Sequence, residues 1–186
     1  CSFDCPYCDL GRTTLRLNKI KTETRMPTPP ELAEALLAAI RRTKMAGQKI
    51  DTISISGNGE PTLHPGFRDM IEVILSLRNE EMDGVPVVAL TNAVHLDNRK
   101  IVDGLNRLDS RMIKVDAGGE KLFKRINAPL VRASASKVIS GSHLLKDFIV
   151  QSLFVKGAVD NTGPSDLEDW FEVIGLMKPK AVHVYS

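Results

Sequence analysis

From residue 28 onward, helical patterns alternate with short β-branched runs, and this alternation restricts the fold more than any other feature of the chain. Parallel strands cannot be joined by a tight turn, so a helix between successive strands predicts a parallel sheet with helical crossovers. The class is α/β. Thr28-Pro29-Pro30-Glu31 reads as a capping box with prolines in the first turn, opening a helix over 29–46 that Gly47 stops. Asp51 to Ser56 reads as a strand ending in the turn Gly57-Asn58-Gly59-Glu60-Pro61. The pattern continues with a helix over 65–79, a strand over 87–92, a helix opened by Asp97 and a strand over 112–117. Helices near 119–127 and 134–146 precede a strand over 148–155. A second capping box, Ser165 to Glu168, opens a helix to Met177, and the strand AVHVYS follows.

Five strands are visible, and all three cysteines precede the first helix, where the loop after an earlier strand belongs. This predicts a partial (βα)6-type barrel of parallel strands with outer helices, its first strand missing or truncated. Residues 1–186 read as one domain, and the chain as a fragment of something longer, without repeats or a flexible linker. In barrels and open α/β sheets, active sites gather at the C-terminal ends of the strands. The cysteine loop, the GNGEP turn and Asn92 all fall there.

A formal charge of +2 points to neither a nucleic-acid nor a membrane partner. No apolar run crosses a bilayer's thickness without a charged residue, and the first residues do not resemble a signal peptide, so a cytoplasmic protein with no membrane partner is expected. All 3 cysteines lie within the first eight residues, which suits a metal site better than a disulfide framework.

Cys1-Ser2-Phe3-Asp4-Cys5-Pro6-Tyr7-Cys8 has the spacing C-x3-C-x2-C, which lets three thiolates curl around one cubic cluster. Iron-sulfur clusters usually take four cysteines, and three leave one iron open to a chelating ligand such as the amino and carboxylate groups of a methionine moiety. The alternatives are a structural zinc site completed by His or Asp, and three free thiols. Zinc sites usually add a second pair of ligands downstream, which this chain lacks.

CSFDCPYC resembles the signature of the radical S-adenosylmethionine (SAM) superfamily, with Tyr7 at its aromatic position. Gly57-Asn58-Gly59-Glu60-Pro61-Thr62 resembles the superfamily's second motif, a Gly-Gly-Glu-Pro-like turn one strand later. Glycines allow close backbone approach to a ligand, and a carboxylate accepts from an ammonium. SGNGEPTLHP, KVDAGGEKLFKRINAP and QSLFVKG further resemble a prokaryotic group related to wyosine-type tRNA-modifying enzymes. The resemblance implies a 4Fe-4S cluster on Cys1, Cys5 and Cys8. It also implies SAM held by Gly57, Asn58, Gly59 and Glu60, with Glu60 receiving the methionine amino group and the backbone around Tyr7 meeting the adenine. Asn92 and Asp116 would serve the ribose and Lys114 the carboxylate, with Gln151 on the next strand also facing the cofactor. Each has a plainer reading: Asn92 ends a strand, Lys114 is an edge residue, Asp116 caps a helix.

His64 reads as a helix-start residue before Pro65 rather than a proton-transfer group. Arg12, Arg16, Lys19, Lys21 and Arg25 form a basic, loop-like segment that reads as a solvated face rather than as a contact for RNA phosphate or an acidic substrate.

By this resemblance, an external one-electron reductant such as flavodoxin or ferredoxin feeds the cluster. SAM is cleaved to methionine and a 5'-deoxyadenosyl radical, which abstracts hydrogen from an unidentified substrate, a tRNA base among the candidates. The principal rival is an iron-sulfur electron carrier or redox sensor, which needs no cofactor rim and normally has a fourth cysteine. An RNA-binding module with a structural metal would need stacking aromatics in a recognition pattern that 5% aromatic content does not supply.

Overall fold

The computed structural model describes residues 1–11, 26–56 and 59–186. The basic segment and the first two residues of the glycine turn, Gly57 and Asn58, lie outside the described residues. The elements are α1 (Pro29–Met45), β1 (Ile53–Ile55), a 3-10 turn (Pro61–Leu63), α2 (Phe67–Glu81), β2 (Val87–Thr91), α3 (Arg99–Leu105) and β3 (Ser110–Lys114). They continue with α4 (Glu120–Ile126), α5 (Ala135–Ser142), β4 (Phe148–Leu153), α6 (Pro164–Met177) and β5 (Ala181–Tyr185). The strands form one open sheet in the order β1-β2-β3-β4-β5, every pair parallel. Crossovers of one hand between sequential neighbours fit the packing of α1, α2, α3, α5 and α6 into one core with the strands, whereas α4 packs with Phe3 of the cysteine loop. This is the expected α/β architecture, consistent with part of a (βα) barrel.

The strands alternate with period two. Val87, Ala89, Ile113, Phe148 and Val150 are buried on the helix side, where Ile71, Leu105, Val173 and Met177 pack against them as the main core. On the other face lie Leu90, Met112, Lys114 and Gln151, all partly exposed. This face would line the inside of a barrel.

Several element ends differ from expectation by a few residues, and at three element starts the reason is visible. Strand β3 starts at Ser110 rather than 112, because Arg111 is buried inside it, its guanidinium donating to the carbonyls of Leu108 and Lys146. Helix α3 is opened by Asn98, whose side chain accepts from Lys100 N, rather than by Asp97. Helix α6 begins at Pro164 after Gly163, with no side-chain cap, so the Ser165 to Glu168 capping box does not form. At α1 the expected box does form, with Glu31 Oε2 accepting from Thr28 N at 2.8 Å.

Candidate active site

The inner face of the sheet and the cysteine loop enclose a cavity of about 240 Å³ at the C-terminal ends of the strands. Cys1, Cys5 and Cys8 open on it together with Tyr7, Gly59 and Glu60. Asn92, Lys114 and Gln151 complete the polar lining, and Ser56, Leu90 and Met112 lie between them. The parallel register places Lys114 beside Gln151 and Leu90 beside Met112, so the lining follows from the pleat.

The loop is held by both backbone and packing. Asp4 N donates to the carbonyls of Asn127 (3.2 Å) and Ala128 (3.1 Å), Leu130 N donates to Ser2 O (2.9 Å), and Phe3 bridges to Pro129. Phe3 is 4% exposed and meets Phe123 of α4 edge-on, ring centroids 5.5 Å apart, within a second apolar cluster that includes Leu122 and Ile126. Burying such a side chain contributes about 2 kcal/mol. The segment after α4 thus fixes where the thiols sit.

Asn127, which closes α4, stands against the cysteine loop and is a contact of the site that sequence reasoning missed. Its side-chain amide donates to Asp116 Oδ2 (3.1 Å), Tyr7 OH (3.4 Å) and Cys5 Sγ (3.7 Å). Its carbonyl accepts from the Cys5 thiol at 3.6 Å. The only sequence signal was its place in the KRINAP stretch. Burial pushes the Cys5 thiol up, against hydrogen bonds to Tyr7 and Asn127 that pull it down.

Asp116 stands behind the cavity rather than on it. Its Oδ1 accepts from Lys114 Nζ and Leu153 N, both at 2.8 Å, and its Oδ2 from Tyr7 OH and Asn127 Nδ2. Those four donors match the acceptor capacity of a carboxylate. A ribose hydroxyl at this residue would have to displace one of them. Burial and the Asp116 charge together push the Tyr7 phenol far above its ordinary range. Lys114 also donates to Tyr185 OH and lies 4.4 Å from the Tyr185 ring centroid and 5.5 Å from that of Tyr7. Among the described residues two of its three N–H groups are used, which leaves one for a ligand in the cavity.

Glu60 is 8% exposed. Its Oε1 accepts from Thr62 N (3.1 Å), Thr62 Oγ1 (2.6 Å) and Thr91 Oγ1 (2.6 Å), and its Oε2 from Asn92 N (2.7 Å). The carboxylate therefore ties the turn after β1 to the end of β2, while among the described residues Oε2 keeps one acceptor direction free. Asn92 donates to Ser2 Oγ at 2.8 Å and approaches Cys1 Sγ at 3.9 Å. Gly59 holds φ +142°, and a Cβ there would stand 3.2 Å from Cys1 N. Glycine here permits the close approach of turn and cysteine loop. His64 lies away from the cavity, bridging Pro27 O (2.8 Å) and Gly66 N (3.1 Å).

The thiols fit the cluster the spacing implies. All three are partly exposed, share one cavity, and have no fourth cysteine to complete the set. Among the described residues, no three His, Cys, Asp or Glu side chains gather closely enough for a single metal ion, so the mononuclear zinc reading lacks a ligand set. Nor, among the described residues, is any helix long and apolar enough to cross a membrane.

The chain is similar over 99% of its length to the UPF0026 protein slr1464 of Synechocystis sp., at 26% identity, and spans 64% of that relative. Its fold is similar to that of TYW1 with a lysine-pyruvate adduct bound (TM-score 0.71, 17% identity), covering 100% of this chain and 61% of that one. It is similar also to Streptococcus suis SuiB bound to S-adenosylmethionine (TM-score 0.66, 15% identity), covering 100% of this chain and 38% of the other. The family model of the radical SAM superfamily matches residues 1–156, which include the cysteine loop and four of the five strands, and the chain belongs to that superfamily.

Proposed function

We propose that this chain is the catalytic core of an enzyme that cleaves SAM reductively, with Cys1, Cys5 and Cys8 ligating a 4Fe-4S cluster. The observation that carries the reading is the convergence of three thiols, Glu60, Asn92, Lys114 and Gln151 on one cavity. The chain spans less than two thirds of the relatives above, so the activity of the whole protein is part of the proposal. Held by Cys1, Cys5 and Cys8, the cluster together with SAM would supply one-electron reductive carbon-sulfur cleavage and radical hydrogen abstraction.

The chain's own residues bind and orient. Glu60 offers its remaining acceptor direction, and Gly59 its backbone carbonyl, to the methionine ammonium; Gly57 and Asn58, which the resemblance also assigns to SAM, lie outside the described residues. Lys114 directs its third N–H to the carboxylate. Asn92 and Gln151 serve the ribose, and the backbone at Tyr7 borders the adenine. Leu90 and Met112 cover the cavity's apolar side and exclude water. The electron comes from a flavodoxin or ferredoxin, in the cytoplasm, where thiols stay reduced. A tRNA base is the substrate class we favour, supported by the wyosine-like stretches SGNGEPTLHP and KVDAGGEKLFKRINAP.

The test is anaerobic: reconstitute the protein with iron and sulfide, reduce it, add SAM, and quantify 5'-deoxyadenosine against a Cys5→Ala control. Cysteine-dependent product is expected. A reducible 4Fe-4S cluster that leaves SAM intact would instead indicate an electron carrier.

A further inference from the structure

We propose that Asn127 is a positioning residue that sets the electron affinity of the cluster through the Cys5 thiolate. The inference rests on the cluster ligation proposed above. Asn127 is 3% exposed, lies 122 residues from Cys5 in sequence, and is held through its backbone N–H, which donates to Phe123 O at 3.0 Å, as well as through its carbonyl. Its carbonyl receives Asp4 N, and its side-chain amide reaches Cys5 Sγ, Tyr7 OH and Asp116 Oδ2.

Two amide hydrogens serve these three acceptors. In the thiol form Cys5 is the weakest of them and donates its own hydrogen to the Asn127 carbonyl at 3.6 Å. Ligation removes that hydrogen and leaves a negatively charged sulfur, a far better acceptor for the amide at 3.7 Å. Adding an electron to a cluster increases the negative charge on its sulfurs. A buried N–H pointing at one of them therefore stabilises the reduced state more than the oxidised one, and removing it makes reduction harder. The three ligands are unequal in this respect. Cys1 receives the Asn92 amide at 3.9 Å and Phe3 N at 3.5 Å, whereas Cys5 is met by the Asn127 amide at 3.7 Å and by the Tyr7 hydroxyl, to which the same amide also donates.

The same amide touches the carboxylate that holds Lys114. Asn127 thus joins a cluster ligand to the residue proposed to grip the cofactor carboxylate. It does so from outside the cavity, without contact to either reactant.

The experiment is a mediated redox titration of the reconstituted holoprotein, followed by electron paramagnetic resonance, comparing the parent with Asn127→Leu and Asn127→Ala. Both variants should be about tenfold harder to reduce, a fall of ~59 mV for a one-electron couple. Midpoints equal to the parent's at full cluster content overturn the proposal. If neither variant assembles a cluster, circular dichroism decides: native helix content supports positioning of Cys5, whereas lost helix content makes Asn127 only a part of the fold and overturns it. The parent separates this inference from the functional reading. A parent without a cluster defeats both, whereas a parent that cleaves SAM beside variants of unchanged potential defeats this one alone.

Discussion

The Lys114 ammonium and the Asp116 carboxylate are 2.8 Å apart, and of the two only Lys114 faces the cavity. The Asp116 side chain is 0% exposed, that of Lys114 18%. Removing either breaks the pair, but the consequences differ. Asp116→Ala strands a buried ammonium, a phenol, an amide and Leu153 N, whereas Lys114→Met leaves a carboxylate that keeps three donors. Loss of the acid should cost about 3 kcal/mol of unfolding free energy and loss of the base less than half of that, read by chemical denaturation. Lys114→Met should also weaken SAM binding about tenfold, one charge-assisted hydrogen bond's worth. Equal destabilisation by the two substitutions would mean that Asp116 is not the hub.

The buried thiol and phenol predict an alkaline limit for the metal-free protein. Burial raises Cys5 from its ordinary 9.0, and burial with the Asp116 charge raises Tyr7 from 10.0. Both groups hold their protons more tightly folded than unfolded. Their contribution is therefore complete below about pH 9 and is lost as pH rises toward the folded values. The denaturation midpoint of the cluster-free protein should fall between pH 9 and 11, and Tyr7→Phe should flatten the upper part of that decline. A midpoint constant over this range would contradict the burial of both groups. In the same state, Cys5 should react with iodoacetamide more slowly folded than in urea, because the thiolate is the nucleophile.

What could be read from sequence was whatever is local. C-x3-C-x2-C and GNGEP each present their chemistry within eight residues, and the βα period places both at one end of a parallel sheet. What could not be read depends on contacts made at a distance. Asn127 closes a short helix, and nothing nearby in sequence says that Cys5 and Asp116 lie against its amide. The resemblance that puts Asp116 on the ribose carries no sign of the four donors that converge on its carboxylate, because three of them come from residues far away in sequence. Arg111 hid the start of β3, since a charged residue within a strand reads as solvent until the carbonyls of Leu108 and Lys146 are seen to receive it.

Two glycines should respond to alanine with opposite signs. A Cβ on Gly118, just past Asp116, would stand 2.2 Å from the backbone carbon and oxygen of Asp169 in α6. Neither backbone can yield without moving the strand end that carries Asp116, so Gly118→Ala should cost 3 kcal/mol or more, roughly the upper end of overpacking. Gly175, inside α6, has nothing within 4 Å of its Cβ direction. Gly175→Ala should stabilise by about 0.5–1 kcal/mol through helix propensity and a less disordered unfolded chain. Thermal denaturation of the two variants beside the parent reads both effects.

Glu60 is asked to do two things, and an isosteric change separates them. In Glu60→Gln the side-chain oxygen can replace Oε1 and keep its three donors, which turns the new NH2 toward Asn92 N, now 2.7 Å from an acceptor. Two donors then oppose each other in a buried site, and the cost is about 1–3 kcal/mol. Thr62→Val removes one donor from Oε1 and leaves Oε2 untouched, with a cost of about 1 kcal/mol. If the free direction of Oε2 receives the SAM ammonium, Glu60→Gln weakens SAM binding about tenfold while Thr62→Val binds it as the parent does. Calorimetric titration of SAM into the anaerobic holoprotein measures both, and parent-like affinity in Glu60→Gln would confine this carboxylate to fastening the turn after β1 to the end of β2.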